Sequence, residues 1–250
     1  MLRGRRILVT GASSGIGRAL ARAYAAQGAS VFAVARSEAG LREIADEASP
    51  GRVEAVPADL ATDPGRRAVA TAVEHGGGVL DVAVHAAGAL GPTGADAALI
   101  RYPADAWHRV FEVNVSAVHF LHQRLAGFLE RGHRPAVIGV SSTVGRVGRA
   151  GWGMYAISKR ALEGWLELLA DEWAERGRVY SVNPGATRTP MRAAAVPGED
   201  PSGLPAPEDI TPLFLRLAHP DAPEPTGARL DARDWIGRDP WAGLHPTGLD

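Results

Sequence analysis

Short apolar runs alternate along the chain with longer segments rich in alanine and leucine. Each run is almost continuously apolar and contains β-branched residues, which is typical of strands covered on both faces of a parallel sheet. Strands alternating with helices predict an α/β fold: a doubly wound, mostly parallel sheet of about seven strands with helices on both faces. Six strands can be placed, at residues 6–10, 30–35, 53–57, 80–86, 135–141 and 178–183.

The segments between the strands have the period of amphipathic helices. The clearest lies at 104–130, where core-facing positions recur every three or four residues: Trp107, Val110, Phe111, Asn114, Val118, Leu121, Leu125 and Phe128. Further helices are predicted over 16–27, 38–48, 62–75 and 153–176. No repeat or linker divides the chain, so residues 1–250 are predicted to form one domain.

The alternation of strands and helices breaks after residue 186. Residues 190–212 are rich in proline and longer than an ordinary connection. We therefore expect a lid or substrate-binding loop there. The tail at 241–250 is expected to be irregular.

Composition excludes several classes of function. The chain is 46% hydrophobic, carries a formal net charge of -1 and has no basic block, so neither nucleic acid nor a membrane surface is an expected partner. It has no cysteine, and its eight histidines include no pair at metal-ligand spacing, so no metal is predicted. The first apolar run is too short for a signal peptide, and no stretch approaches the roughly 20 apolar residues of a membrane span. We expect a cytoplasmic protein.

A glycine-rich turn joins the first predicted strand to the first helix. Gly11, Gly15 and Gly17 form the pattern G-x-x-x-G-x-G. Glycines at these positions permit a tight turn and let backbone N–H groups at the helix start approach a pyrophosphate, as in the dinucleotide-binding Rossmann fold. The turn could instead only cap the helix.

The end of the second predicted strand indicates which dinucleotide is bound. An acidic residue at this position would bind the adenosine ribose hydroxyls; here Ala35 is followed by Arg36. A guanidinium pairs with a 2′-phosphate, whereas a carboxylate would repel it. We predict NADP(H) in preference to NAD(H), the alternative being that Arg36 is an ordinary surface arginine.

Residues 11–15 also fit G-x-S-x-G, the nucleophile elbow of α/β-hydrolases, and 75–78 read HGGG, like an oxyanion loop. In those hydrolases the oxyanion loop precedes the nucleophile, whereas here it follows. The strands that normally come before the elbow are also missing, so the order argues against a hydrolase.

Six motifs in order resemble the short-chain dehydrogenase/reductase family: TGASSGIG (10–17), HAAG (85–88), NVSAV (114–118), SSTVG (141–145), YAISK (155–159) and NPGATRT (183–189). The resemblance spans roughly residues 5–232. The longer strings VGRVGRAGWGMYAISK and NPGATRTPMRA resemble a bacterial branch of oxidoreductases. The glycine loop combined with Y-x-x-x-K and an upstream serine is highly specific for the family.

The resemblance implies a role for each motif residue. Tyr155 would be the general acid/base and Lys159 its partner. Ser142, which lies 13 residues before Tyr155, would bind the substrate carbonyl in preference to Ser141. Asn114 would hold a water in a proton relay.

The resemblance also implies a set of cofactor contacts. The glycine loop would contribute Gly11, Ser13, Ser14, Gly15, Ile16 and Gly17; the remaining contacts would be Arg36, Asp59, Leu60, Ala87, Gly88, Lys159, Pro184, Gly185, Thr187 and Thr189, with Thr189 at the carboxamide. The family commonly has N-N-A-G where this chain has His85-Ala86-Ala87-Gly88. Two amide side chains near the adenosine half are therefore lost.

These residue types suit a proton transfer coupled to hydride transfer. Free tyrosine has a pKa of about 10. A lysine four residues further along lies on the same helix face. We expect its charge to lower the pKa of Tyr155, and its ammonium to reach the nicotinamide ribose. Ser142 would stabilise developing charge on the carbonyl oxygen of a ketone or aldehyde.

The neighbouring sequence suggests what borders the substrate. Trp152 and Met154 flank the catalytic residues and are expected in the pocket with Ser142 and Tyr155. Four nearby arginines would bind an anionic substrate if they face inward, or would face solvent or a partner subunit: Arg146, Arg149, Arg188 and Arg192. The family resemblance suggests a homodimer or homotetramer built on the helices at 104–130 and 153–176, the second of which carries Trp165, Leu169 and Trp173.

Two alternatives to a dehydrogenase stay open. One is a regulatory or structural protein that binds NADP(H) without catalysis, although it would not need Ser142, Tyr155 and Lys159 together. The other is an epimerase or dehydratase with the same tyrosine, but such enzymes usually carry a larger substrate domain.

Overall fold

Seven parallel strands form one sheet in the computed structural model, which describes residues 1–47 and 49–245. Their order is β3-β2-β1-β4-β5-β6-β7. The direction of winding thus reverses between β1 and β4. The strands are β1 (Arg6–Thr10), β2 (Ser30–Ala35), β3 (Arg52–Pro57), β4 (Val82–His85), β5 (Ala136–Val140), β6 (Arg178–Asn183) and β7 (Arg229–Asp231).

Helices connect the strands and cover both faces of the sheet. They are α1 (Gly15–Ala26), α2 (Glu38–Ala45), α3 (Asp63–His75), α4 (Ala104–Phe111), α5 (Ala117–Glu130), α6 (Thr143–Arg146), α7 (Gly153–Glu172), α8 (Pro190–Ala195) and α9 (Thr211–Ala218). A π-helical turn, Glu112–Ser116, joins α4 to α5. None of these helices, within the part of the chain that the structure describes, is long and apolar enough to cross a membrane. The cytoplasmic location stays a prediction.

The six placed strands match the observed ones to within two residues at each end. The seventh, β7, was not placed because it has only three residues, two of them charged. The helix predicted over 104–130 is interrupted by the π-turn. The 190–212 segment is not a plain loop, since it contains α8 and two 3₁₀ turns, Pro201–Gly203 and Pro207–Ile210. In the predicted tail, residues 246–250 lie outside the described residues.

Alternate side chains along the strands pack into two separate hydrophobic cores, one on each face of the sheet. In β1, Ile7 and Val9 pack on the side covered by α1 and α9, whereas Leu8 packs on the side covered by α3, α5 and α7. The aromatic face expected to mediate oligomerisation belongs to this second core. Trp173 is buried, and Trp165 and Leu169 are partly buried against it, so this face is less exposed than expected, and its part in an oligomer stays a prediction. The 3.6-residue period marked these residues as apolar, but the chain itself covers them.

The amino ends of the central strands are held by one buried carboxylate, Asp81. It forms an ion pair with Arg5 at 3.3 Å, and both groups are almost fully buried. Its two oxygens also accept backbone hydrogen bonds from Arg6 at 2.8 Å and His133 at 2.9 Å. The carboxylate therefore joins β1, β4 and the segment before β5.

We expect Asp81→Ala to lower the free energy of unfolding by about 3–5 kcal/mol, because it leaves the Arg5 guanidinium buried without its partner. Urea denaturation of both proteins measures the difference. The control is Asp221→Ala, which removes an exposed pair with Arg134 and should cost less than about 1 kcal/mol. Equal effects of the two substitutions would contradict the assignment.

Candidate active site

A cavity of about 700 Å³ opens at the carboxyl ends of β1, β2 and β4. In doubly wound sheets a ligand binds at this edge, where the strand order reverses. The cavity is lined by eight of the predicted cofactor residues: Gly11, Ser13, Ser14, Arg36, Asp59, Leu60, Ala87 and Gly88.

The glycines of the first turn are required by close backbone contacts. Gly11 has φ +71°, and a Cβ there would lie 2.9 Å from the Ala87 backbone. A Cβ on Gly17 would lie 2.4 Å from the carbonyl oxygen of Gly11. The turn is therefore pressed against the segment that follows β4. This narrow, backbone-lined cradle at the start of α1 fits the pyrophosphate of a dinucleotide.

The HAAG segment keeps its backbone role without the amide side chains. The hydroxyl of Thr10 accepts hydrogen bonds from the N–H groups of Ala86 and Ala87, both at 3.0 Å, which fixes the segment beside the glycine turn. His85 does not line the cavity. It is buried against the rings of His122 and Trp165, and burial lowers its pKa to about 3. The imidazole at this position therefore packs in the core. Within the HAAG segment, only Ala87 and Gly88 line the cavity.

Arg36 is exposed at the rim of the cavity, beside Ser13 and Ser37. It forms no ion pair with any described residue, so its guanidinium is available to a ligand. Arg109, on α4, also lines the cavity and was missed from the sequence. Its position in an otherwise apolar helical pattern gave no sign that it would face a ligand.

A second cavity, of about 390 Å³, adjoins the first at Leu90. It is lined by Ile16, Ser142, Trp152, Tyr155, Pro184, Gly185, Thr187 and Thr189, together with apolar side chains from α6 and α8. Met154 was expected here, but its side chain is completely buried and does not line the cavity. Consecutive residues of a helix point about 100° apart, so Met154 turns into the protein where Tyr155 faces the cavity.

Tyr155 and Lys159 both lie on the buried side of α7. Burial raises the pKa of Tyr155, and a hydrogen bond with Ser142 opposes that rise. The Lys159 ammonium donates to the carbonyl oxygen of Val140 at 2.8 Å and lies 5.8 Å from the centre of the Tyr155 ring. The net shift of the Tyr155 pKa in this structure is upward, opposite to the expected lowering, because burial of the phenol is the largest influence on it.

Asn114 is buried in the π-turn, and its amide is fully engaged. Its oxygen accepts from Ala89 N–H at 2.7 Å, while its nitrogen donates to the Ala89 carbonyl at 2.9 Å and to Ser158 at 2.8 Å. The side chain thus locks the segment after Gly88 to α7. π-Turns inside helices are frequently found at functional sites.

Thr187 and Thr189 have different surroundings at the edge of this cavity. Thr187 is buried, and its hydroxyl donates to the carbonyl of Pro184 at 3.3 Å. The hydroxyl of Thr189 caps α8 by accepting from Arg192 N–H at 3.1 Å, and its methyl group lies 3.2 Å from where a Cβ on Gly15 would be. Thr189 thus joins the glycine turn to α8.

The four arginines do not act as a group. Arg146 pairs with Glu163 and Asp231, and Arg192 pairs with Glu199 through two bonds of 2.6 Å. Arg188 is exposed and does not line the second cavity. Arg149 lines it and has no ion pair among the described residues. Only one of the four is thus free to meet a substrate anion.

The amino-acid composition itself singles out Lys159. The chain contains 26 arginines and a single lysine, and that lysine is Lys159. Lysine loses its proton readily when buried, whereas arginine keeps its charge. A chain that uses arginine everywhere else therefore marks this position as special.

Comparison with known proteins identifies the family. The family model for short chain dehydrogenases matches residues 5–200. The uncharacterized oxidoreductase YciK of Escherichia coli K12 is 41% identical over 245 residues, covering 96% of this chain and 95% of that protein. The 3-oxoacyl-acyl-carrier-protein reductase FabG of Thermotoga maritima is 31% identical, covering 90% of this chain and 95% of that protein.

Solved structures agree with this assignment. A short chain dehydrogenase from Shigella flexneri, in complex with NADP, has a TM-score of 0.88 and 40% identity, covering 93% of this chain and 98% of that one. A short chain dehydrogenase from Escherichia coli CFT073, in complex with NADPH, has a TM-score of 0.87 and 41% identity, with the same coverage. The predicted fold and family are confirmed: the chain belongs to the short chain dehydrogenases, enzymes of the Rossmann fold that act on alcohol and carbonyl groups with NAD(P).

Proposed function

We propose that the protein transfers a hydride between NADP(H) and a ketone, aldehyde or alcohol, with Tyr155 as general acid/base. The observation that carries the proposal is the meeting of Ser142 and Tyr155 on the wall of a cavity that adjoins the dinucleotide cleft. Lys159 lies buried behind them.

The two cavities match the two halves of a dinucleotide. The glycine turn would hold the pyrophosphate, Asp59 and Leu60 would border the adenine, and Arg36 would pair with a 2′-phosphate. Pro184, Gly185 and Thr189 would border the nicotinamide, and this end of the cleft adjoins Tyr155. When bound, the nicotinamide supplies or accepts the hydride. The NADP and NADPH complexes of two relatives support this choice of cofactor.

The side chains of this protein would provide the proton and stabilise the carbonyl. Because burial raises the pKa of Tyr155, the phenol is protonated at neutral pH and can donate to a carbonyl oxygen during reduction. The Ser142 hydroxyl donates a second hydrogen bond to the same oxygen. In the reverse direction the phenolate form of Tyr155 accepts the proton of the alcohol. A charged Lys159 stabilises the phenolate that forms after proton donation.

The substrate would lie in the second cavity, against Trp152, whose ring centre is 5.8 Å from that of Tyr155. The walls of this cavity are mainly apolar; beside Ser142 and Tyr155 they include Val144, Val147 and Met191. Arg149 is the one free cation among the described lining residues. The homodimer or homotetramer stays a prediction.

We expect Tyr155→Phe to reduce kcat about 100- to 10,000-fold while NADPH still binds, because only the proton donor is lost. The measurement is a panel of carbonyl compounds followed at the absorbance of NADPH, with binding followed by NADPH fluorescence. Tyr180→Phe is the matched control, because the Tyr180 hydroxyl bonds the carbonyl of Glu224 and lies outside both cavities. Turnover that survives Tyr155→Phe would refute the mechanism, and a wild type inactive on the whole panel would favour the regulatory alternative.

We expect Arg36→Gln to weaken NADPH binding about 10- to 100-fold, the value of a lost charge-assisted contact of ~1.5–3 kcal/mol, and to change NADH binding little. Titration calorimetry with both cofactors measures the two constants. Arg42→Gln, on the exposed face of α2, is the control that removes the same charge away from the cleft. Parallel losses for NADPH and NADH would show that Arg36 does not recognise the 2′-phosphate.

A further inference from the structure

A third ionisable side chain, after Tyr155 and Lys159, lies buried on α7, one helical turn beyond Lys159. Glu163 is only 6% exposed. One carboxylate oxygen accepts from the Ser141 hydroxyl at 2.5 Å and from Arg146 Nε at 3.1 Å. The other lies 3.0 Å from Arg229 Nε. None of these three partners belongs to α7, so the carboxylate links this helix to other parts of the fold.

The partners of Glu163 surround the candidate carbonyl-binding residue. Ser141 directly precedes Ser142, which is the N-cap residue of the short helix α6, and Arg146 is the last residue of that helix. Arg146 in turn pairs with Asp231 at 2.9 Å and donates to the Leu230 carbonyl at 3.0 Å. Both ends of the 141–146 segment are thus held by the same carboxylate.

Lys159 needs a counter-charge that its hydrogen bond does not supply. Its ammonium is 4% exposed and donates to a single neutral carbonyl, that of Val140. A buried charge without a partner is costly. The ionisable groups beside it on its own helix are Tyr155 and Glu163, and Glu163 is in turn paired with Arg146 on α6 and Arg229 on β7. The HAAG segment contributes His85, which burial keeps uncharged at neutral pH, and β5 contributes none.

The charge states agree with this arrangement. Burial lowers the pKa of Lys159 to about 8, and the Glu163 carboxylate opposes that fall. Burial alone would raise the pKa of Glu163, but the hydrogen bonds from Ser141 and Arg146 oppose it and the net shift of the pKa is downward. At neutral pH the pair is therefore an ammonium and a carboxylate.

We infer that Glu163 is a positioning residue of the active site: its carboxylate fixes the 141–146 segment that presents Ser142 and supplies the counter-charge that keeps Lys159 an ammonium. The catalytic part of this inference depends on the proposed function, whereas the charge part can be measured without turnover.

Because Lys159 is the only lysine, protein labelled with ¹³C-lysine and expressed without a lysine-containing tag gives a single Cε resonance, whose pH titration reports the pKa of this group. We expect the pKa of Lys159 to fall by about one pH unit in Glu163→Gln, the scale of a lost neighbouring opposite charge. Glu167→Gln is the control, since it removes the same charge from the exposed side of α7 and should leave the resonance unchanged. An unchanged titration in folded Glu163→Gln would overturn the inference.

A second variant covers the case in which Glu163→Gln does not fold. Arg229 is half exposed on β7, so Arg229→Gln should be tolerated. It removes a cation that competes for the carboxylate, and we expect the pKa of Lys159 to rise. A pKa that stays the same or falls would count against the inference.

The pH profile of kcat/KM separates this inference from the proposed function. Activity requires the ammonium, so it falls as pH rises through the pKa of Lys159; lowering that pKa in Glu163→Gln should start the decline at a lower pH. If Glu163 had a purely structural role, Glu163→Gln would lower activity at every pH without shifting the pH at which activity declines. That result would refute the catalytic part of the inference. A wild type without turnover would refute the proposed function while the NMR result still decides the charge pairing.

Discussion

All seven strands that the structure describes run in the same direction, and the location of the site follows from that constraint. Parallel pairing brings every carboxyl end to one edge of the sheet. The glycine turn after β1, Arg36 after β2, the HAAG segment after β4, Ser142 after β5 and the NPG segment after β6 therefore meet there although they are far apart in sequence. The reversal of winding between β1 and β4 leaves the crevice into which these segments project.

Backbone contacts rather than side chains shape the cofactor half of that crevice. Gly11 brings the turn so near to Ala87 that a methyl group would not fit, and Gly17 lets the helix start fold back onto the Gly11 carbonyl. The Thr10 hydroxyl then holds the two alanine N–H groups, so the segment keeps its place without the family's amide side chains. His85 instead packs in the core, where its edge-to-face contacts with the rings of His122 and Trp165 support β4.

Charge is handled differently in the substrate half. Two of the four arginines near it, Arg146 and Arg192, are paired with carboxylates. The single lysine is buried instead, with one carbonyl partner and a carboxylate one helical turn away. A guanidinium would keep its charge and would need several acceptors, whereas an ammonium is compact and its pKa responds to its neighbours. The proton chemistry proposed for Tyr155 needs a cation of this second kind.

Local patterns in the sequence were sufficient for six strands and for the glycine turn, because hydrophobic periodicity and glycine spacing report on backbone geometry within a few residues. The family followed from the resemblance of the ordered motifs. The local patterns failed where the outcome depends on distant residues. The 3.6-residue period marked Trp173 as apolar but not as covered by its own chain, and helix spacing alone did not separate Met154 from the cavity wall. Only the tertiary structure decided that burial raises the pKa of Tyr155, which arginines are already paired, and that Glu163 lies behind Ser141 and Lys159. Those properties depend on desolvation and on contacts between strands and helices that are remote in sequence, and no short stretch of residues contains them.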